Sequence, residues 1–86
     1  MSTAQVSVYG VGDGNLNAAV EAAITIVRSS GLPYTVGRTQ TLIDADDDTV
    51  LFHTLRALYQ AAAAQGEVVV VATISNACPL SVDGGG

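Results

Sequence analysis

The chain has 86 residues, 49% of them hydrophobic and only 13% charged, with a net charge of −5. That length holds one domain, residues 1–86, and no second. Its only basic residues are Arg28, Arg38 and Arg56, so the clustered cationic face that a nucleic-acid backbone requires is excluded.

Charge at 13% falls well below the roughly 25% of an ordinary domain. For so small a chain this predicts a homo-oligomer that covers part of its surface; a small alanine-rich monomer is the alternative. Cys78 is the single cysteine, which rules out an intrachain disulfide and favours a reducing compartment. Met1, Ser2 and Thr3 lead straight into a strand pattern without a charged segment and apolar stretch, so no leader peptide is expected. The apolar run Val68 to Ile74 is too short to span a bilayer. A cytoplasmic protein without membrane insertion is the expectation.

In chain order, Ala4 to Tyr9 alternates, with Val6 and Val8 on one face and Gln5, Ser7 and Tyr9 on the other, as a half-buried strand does. A glycine-rich loop over 10–14 follows, and Asn15 is placed to cap a helix. Leu16, Ala19, Val20, Ala23, Ile24 and Val27 recur at helical spacing and predict one apolar stripe. Gly31 is placed to end that helix, and Pro33 forbids its continuation. Tyr34 to Val36 reads as a short second strand and Thr39 to Asp44 as a third. The acidic run Asp44, Asp46, Asp47, Asp48 precedes the next helix, where carboxylates cap and complement the helix dipole. Asp46 or Asp47 is the expected cap. The run lacks the glycine and glutamate of a calcium loop, and no metal site is expected.

The second helix is predicted from about Thr49 to Gln65, burying Val50, Leu51, Leu55, Leu58 and Ala62, with Gly66 ending it. Glu67 to Ser75 is the strongest strand pattern. Both its faces are apolar at the start, which predicts burial on both sides there, and a proline-free apolar edge invites pairing with another chain. A polar, glycine-rich tail occupies about 80–86.

This order predicts an α+β ferredoxin-like βαββαβ sandwich: a four-stranded antiparallel sheet with two helices on one face. The other sheet face is left uncovered. By alternation it carries Gln5, Ser7, Tyr9, Thr39, Thr41, Thr73 and Ser75. These hydroxyls and one aromatic ring can hydrogen-bond and stack on a polar heterocycle; equally, such residues favour strands and the face can be solvated or sit in an interface.

Catalytic signals are sparse. His53, the only histidine, reads as an exposed helix residue, and no nucleophile-elbow motif is present. The 10–14 loop lacks the third glycine of a dinucleotide fingerprint and the lysine of a phosphate loop. No cofactor and no catalytic residue are assigned.

Four short segments, Val6 to Gly12, Gly31 to Tyr34, Thr39 to Asp44 and Ile74 to Pro79, come in matching order and spacing with the thiamine-binding, YkoF-like family, which the chain resembles over about Gln5 to Pro79. The family's strand-1 proline is replaced by Gly10, and its strand-3 acid is shortened to Asp44. The resemblance implies a non-catalytic protein that binds thiamine or its hydroxymethylpyrimidine moiety in uptake or salvage. It further implies assembly as a dimer or tetramer through sheet faces or edges. The ligand-binding residues it nominates are Tyr9, Thr39, Thr41, Asp44, Ser75, Asn76 and Cys78, at the ends of the first, third and fourth strands and the start of the first helix. An aminopyrimidine needs paired donors and acceptors, which Thr41, Asp44, Ser75 and Asn76 can provide. A thiazolium cation suits an acidic site with Tyr9 or Tyr34 beside it. The competing expectations are an oligomerisation module without ligand and, last, an enzyme using Asp44 or His53 as an acid–base group.

Overall fold

The structure, a computed structural model, describes residues 2–11, 16–37 and 40–77. Its elements run β1 (Ser2–Gly10), α1 (Leu16–Ser29), β2 (Tyr34–Val36), β3 (Thr41–Ala45), α2 (Asp48–Ala63) and β4 (Val68–Ser75). The strands form one antiparallel sheet in the order β2-β3-β1-β4, the ferredoxin-like arrangement expected from the order of patterns. β1 lies in the interior of the sheet and pairs on both sides: Ala4 faces Ile43 of β3 and Ile74 of β4. β4 is an edge.

The helices end where their local chemistry dictates. Asp47 is extended at the α2 N-cap and its carboxylate accepts from the Thr49 amide at 2.8 Å, satisfying one of the orphan donors of the first turn. Gly31, after α1, has φ 79°, a left-handed conformation that costs other residues about 1–2 kcal/mol. The predicted Asn15 cap lies outside the described residues.

Helices and sheet meet in a core of Ala4, Val6, Ala19, Ala23, Val27, Ile43, Ala45, Leu51, Leu58 and Ala62. Alanines dominate the α1 contribution, Ala19 and Ala23 beside Val27, which lets α1 pack closely. Thr54 is buried on α2, whereas Val50 is exposed; the stripe of α2 is rotated from the predicted one because Leu51, Leu58 and Ala62 define the inward direction.

Two strand readings are corrected by the pairing register. Thr41 faces Val6, a core residue, so it belongs to the helix side of the sheet and not to the uncovered face. β3 carries Leu42 and Ile43 side by side, so either phase would send one large side chain inward. Ile43 takes the core position with no exposure, leaving Leu42 and Asp44 on the open face. The start of β4 is not buried on both sides within one chain: Val68 and Val70 pack on the core, but Val69 and Val71 are about half exposed.

Candidate functional site

A cleft of about 270 Å³ opens between α1 and the helix side of the sheet. Its floor is Val6 and Val8 of β1 with Val36 of β2 and Thr41 of β3. Leu16, Val20 and Ile24, spaced by four along α1, form one wall, and Leu58 of α2 closes the inner end. This spacing puts three branched side chains on one flank of the helix. They are partly buried or exposed, while Ala19, Ala23 and Val27 on the neighbouring flank are buried. The helix therefore sets a more exposed row of larger residues beside its buried row, of which Ala23 and Val27 also reach the cleft.

The polar groups of the cleft are few. Among the described residues no Asp, Glu, Arg, Lys or His lines it; Thr41 sits on the helix side of the sheet beside it, while Tyr9 and Gln40 border it, Tyr9 from a register position shared with Val69 of the open face. An apolar recess with a few placed polar groups is the usual form of a small-molecule site. Its volume is just below the roughly 300–1,000 Å³ of such sites, enough for one heterocyclic ring rather than a long ligand. At the border of the cleft the Gly37 amide donates to the Gln40 carbonyl at 2.7 Å, and Gln5 Nε2, from the open face, donates to Gln40 Oε1 at 2.9 Å. Gly10 lets α1 start close to β1, since a Cβ there would stand 3.2 Å from Leu16 Cβ.

The nominated residues fall into two places. Tyr9 and Thr41 border the cleft. Asp44 and Ser75 lie on the open face, both in register with Thr3, whose hydroxyl donates to Asp44 Oδ1 at 2.7 Å. Asn76 is exposed just past β4. Tyr9 is six residues along β1 from Thr3, about 20 Å at roughly 3.3 Å per residue. Thr39 and Cys78 lie outside the described residues. His53 is exposed on α2. Among the described residues no three His, Cys, Asp or Glu side chains gather into a metal-binding group, and no helix is long and apolar enough to cross a membrane.

Gln40, Val36 and the Leu16–Val20–Ile24 wall were not among the nominated residues. The wall had a signal, a second apolar row beside the alanine row of α1. Gln40 had none, because its place follows from a hairpin bond.

The same fold occurs in solved structures. A domain of unknown function from Bacillus cereus is 27% identical with a TM-score of 0.74, covering 86% of this chain and 73% of that one. A protein from Streptococcus pneumoniae is 17% identical with a TM-score of 0.81, covering 94% and 91%. A Thermotoga maritima protein provisionally assigned to thiamine biosynthesis or salvage is 23% identical with a TM-score of 0.72, covering 85% and 80%. No curated protein matches the chain. The family described as thiamine-binding protein matches residues 4–76, a span that takes in every strand and both helices except the first two residues of β1. The chain belongs to the thiamine-binding protein family.

Proposed function

We propose that this chain reversibly binds thiamine or its hydroxymethylpyrimidine moiety, without making or breaking a bond, in a cytoplasmic uptake or salvage role. The observation that carries the reading is a ring-sized, largely apolar cleft bordered by Thr41, Gln40 and Tyr9, in a member of a thiamine-binding family. The pyrimidine ring enters between the α1 wall and the floor of β1, and Thr41 and Gln40 meet its ring nitrogens and amine. The thiazolium stays at the mouth, where the half-exposed Tyr9 can face the cation. Assembly of copies through the sheet, favoured by the half-exposed Val69 and Val71, belongs to the same reading.

The Asp44–Ser75 region supports a second placement of the ligand on the open face, because Asp44 and Thr3 form a hydrogen-bonded pair there. Calorimetric titration of ligand-stripped protein with thiamine and with hydroxymethylpyrimidine separates the two. Thr41→Val keeps the shape and removes one hydrogen-bonding group, so a cleft site loses about tenfold in affinity, the worth of roughly 1–1.5 kcal/mol, while Asp44→Ala binds as wild type. The reverse pattern moves the site to the open face. Absence of heat and of thermal shift with both compounds removes the reading and leaves a ligand-free assembly module.

A further inference from the structure

We propose that the backbone of Val8, its amide N–H and its carbonyl, is the recognition edge of the cleft and holds a ring nitrogen and the amine beside it. The proposal rests on the cleft reading above and adds a binding element that no side chain supplies. The directions of the backbone groups follow from two hydrogen bonds. The Asp44 amide donates to the Pro33 carbonyl at 3.0 Å, and the Gly37 amide donates to the Gln40 carbonyl at 2.7 Å. Both bonds lie on the β2 side of β3. In an antiparallel ladder the N–H and C=O of one residue point the same way, and successive residues alternate. Thr41 and Ile43 therefore turn theirs to β1, so Val6–Thr41 and Ala4–Ile43 are the pairs that exchange hydrogen bonds. Val8, two residues on from Val6, presents its N–H and C=O to that same side. There the described pairing of β1 with β3 has ended, at Val6–Thr41, while β1 continues against β4 as far as Gly10. Among the described residues none takes up this edge of Val8; Thr39, next in the register, lies outside them.

The cleft reaches this edge. Val8 is partly buried and lines it. Tyr9 and Gln40 belong by alternation to the open face, and Gly37 has no side chain, yet all three line the cleft too. Their presence brings the floor down to the level of the sheet backbone, between β1 and the end of the β2–β3 hairpin. A strand N–H and C=O are strong hydrogen-bonding groups that need a partner when covered. The pair belonging to one extended residue is a donor beside an acceptor. Its complement is a planar ring with an acceptor nitrogen next to an amine, the edge that an aminopyrimidine carries. This pair has a fixed polarity. The Thr41 hydroxyl can rotate to donate or to accept, whereas the Val8 backbone cannot exchange its two roles. The backbone edge therefore makes the cleft selective for the amine in a way that its side chains do not.

Two measurements on the full chain test this. The first is calorimetric titration with hydroxymethylpyrimidine and with its analogue in which a carbonyl oxygen replaces the ring amine. The analogue presents a donor N–H beside an acceptor oxygen, the reversed pattern, and is expected to bind about a hundredfold more weakly or worse. The second is amide hydrogen exchange by NMR, with and without hydroxymethylpyrimidine. In the free protein the Val8 amide is expected to exchange about tenfold or more faster than the ladder-bonded Val6 amide, and to become protected in the complex. A Val8 amide as protected as that of Val6 without ligand overturns the proposal whatever binds, because the edge is then already occupied. Equal affinity for the two compounds, or a Val8 amide that the ligand leaves unprotected, overturns the proposal and leaves the cleft reading standing. Absence of binding by hydroxymethylpyrimidine overturns the cleft reading and the proposal with it.

Discussion

Leu51 and Phe52 are neighbours in sequence and opposites in environment. Leu51 has no exposed surface and Phe52 is more than half exposed. Leu51→Ala is expected to cost about 2–5 kcal/mol, because a cavity opens beneath α2. Phe52→Ala, which removes the larger side chain, is expected to change the stability of the monomer by less than about 0.5 kcal/mol. Urea unfolding at low protein concentration measures both. A larger loss for Phe52→Ala than for Leu51→Ala would mean that the α2 stripe is oriented differently. Thr41 shows how much depends on one residue of phase. Its neighbours Leu42 and Ile43 make either orientation of β3 plausible from sequence, and only pairing with the core residues Ala4 and Val6 sends Thr41 to the cleft side.

Helices and caps were legible in the sequence, since an apolar stripe and its capping residues lie within a few turns of one another. Asp47 at the start of α2 and Gly31 after α1 do what their chemistry predicts. The cleft was not legible. It depends on how far α1 stands off the sheet, which is set by the alanine row beneath the helix and by Gly10, and periodicity does not carry that distance. Of the nominated residues, Thr41 and Tyr9 border the cleft, and Asp44 and Ser75 lie on the open face toward the other end of β1. β4 combines a legible pattern with an environment the sequence did not give away: its outer valines are apolar yet uncovered in one chain. Val71→Lys puts a charge on that face without disturbing the core side of the strand. Under the proposed assembly through the sheet it is expected to shift the protein toward smaller species in size-exclusion chromatography with light scattering, with a change in unfolding free energy within about 0.5 kcal/mol. Unchanged assembly would mean that the open face stays in solvent.

At the scale of the whole molecule, the helices cover one layer of the sheet, and Val69 and Val71 stand about half exposed on the other, the face proposed for contact between copies. The cleft lies between the layers, at the side of α1. The central position of β1 has a further consequence, for the time course of folding. β1 is the first strand of the chain but can complete its pairing only when β4, the last, arrives; Thr3 joins Ser75 across nearly the whole described length. The entropy of closing that long loop must be met before the β1–β4 bonds form. Stopped-flow refolding should therefore be slower than for a helical bundle of this size. Substitutions at the β1–β4 seam should act mainly on the unfolding limb of the chevron, those at the α1–α2 contact on the folding limb. Until β4 docks, one side of β1 stands open as an unpaired edge, so a folding chain in which β4 has not yet paired is the form most vulnerable to aggregation.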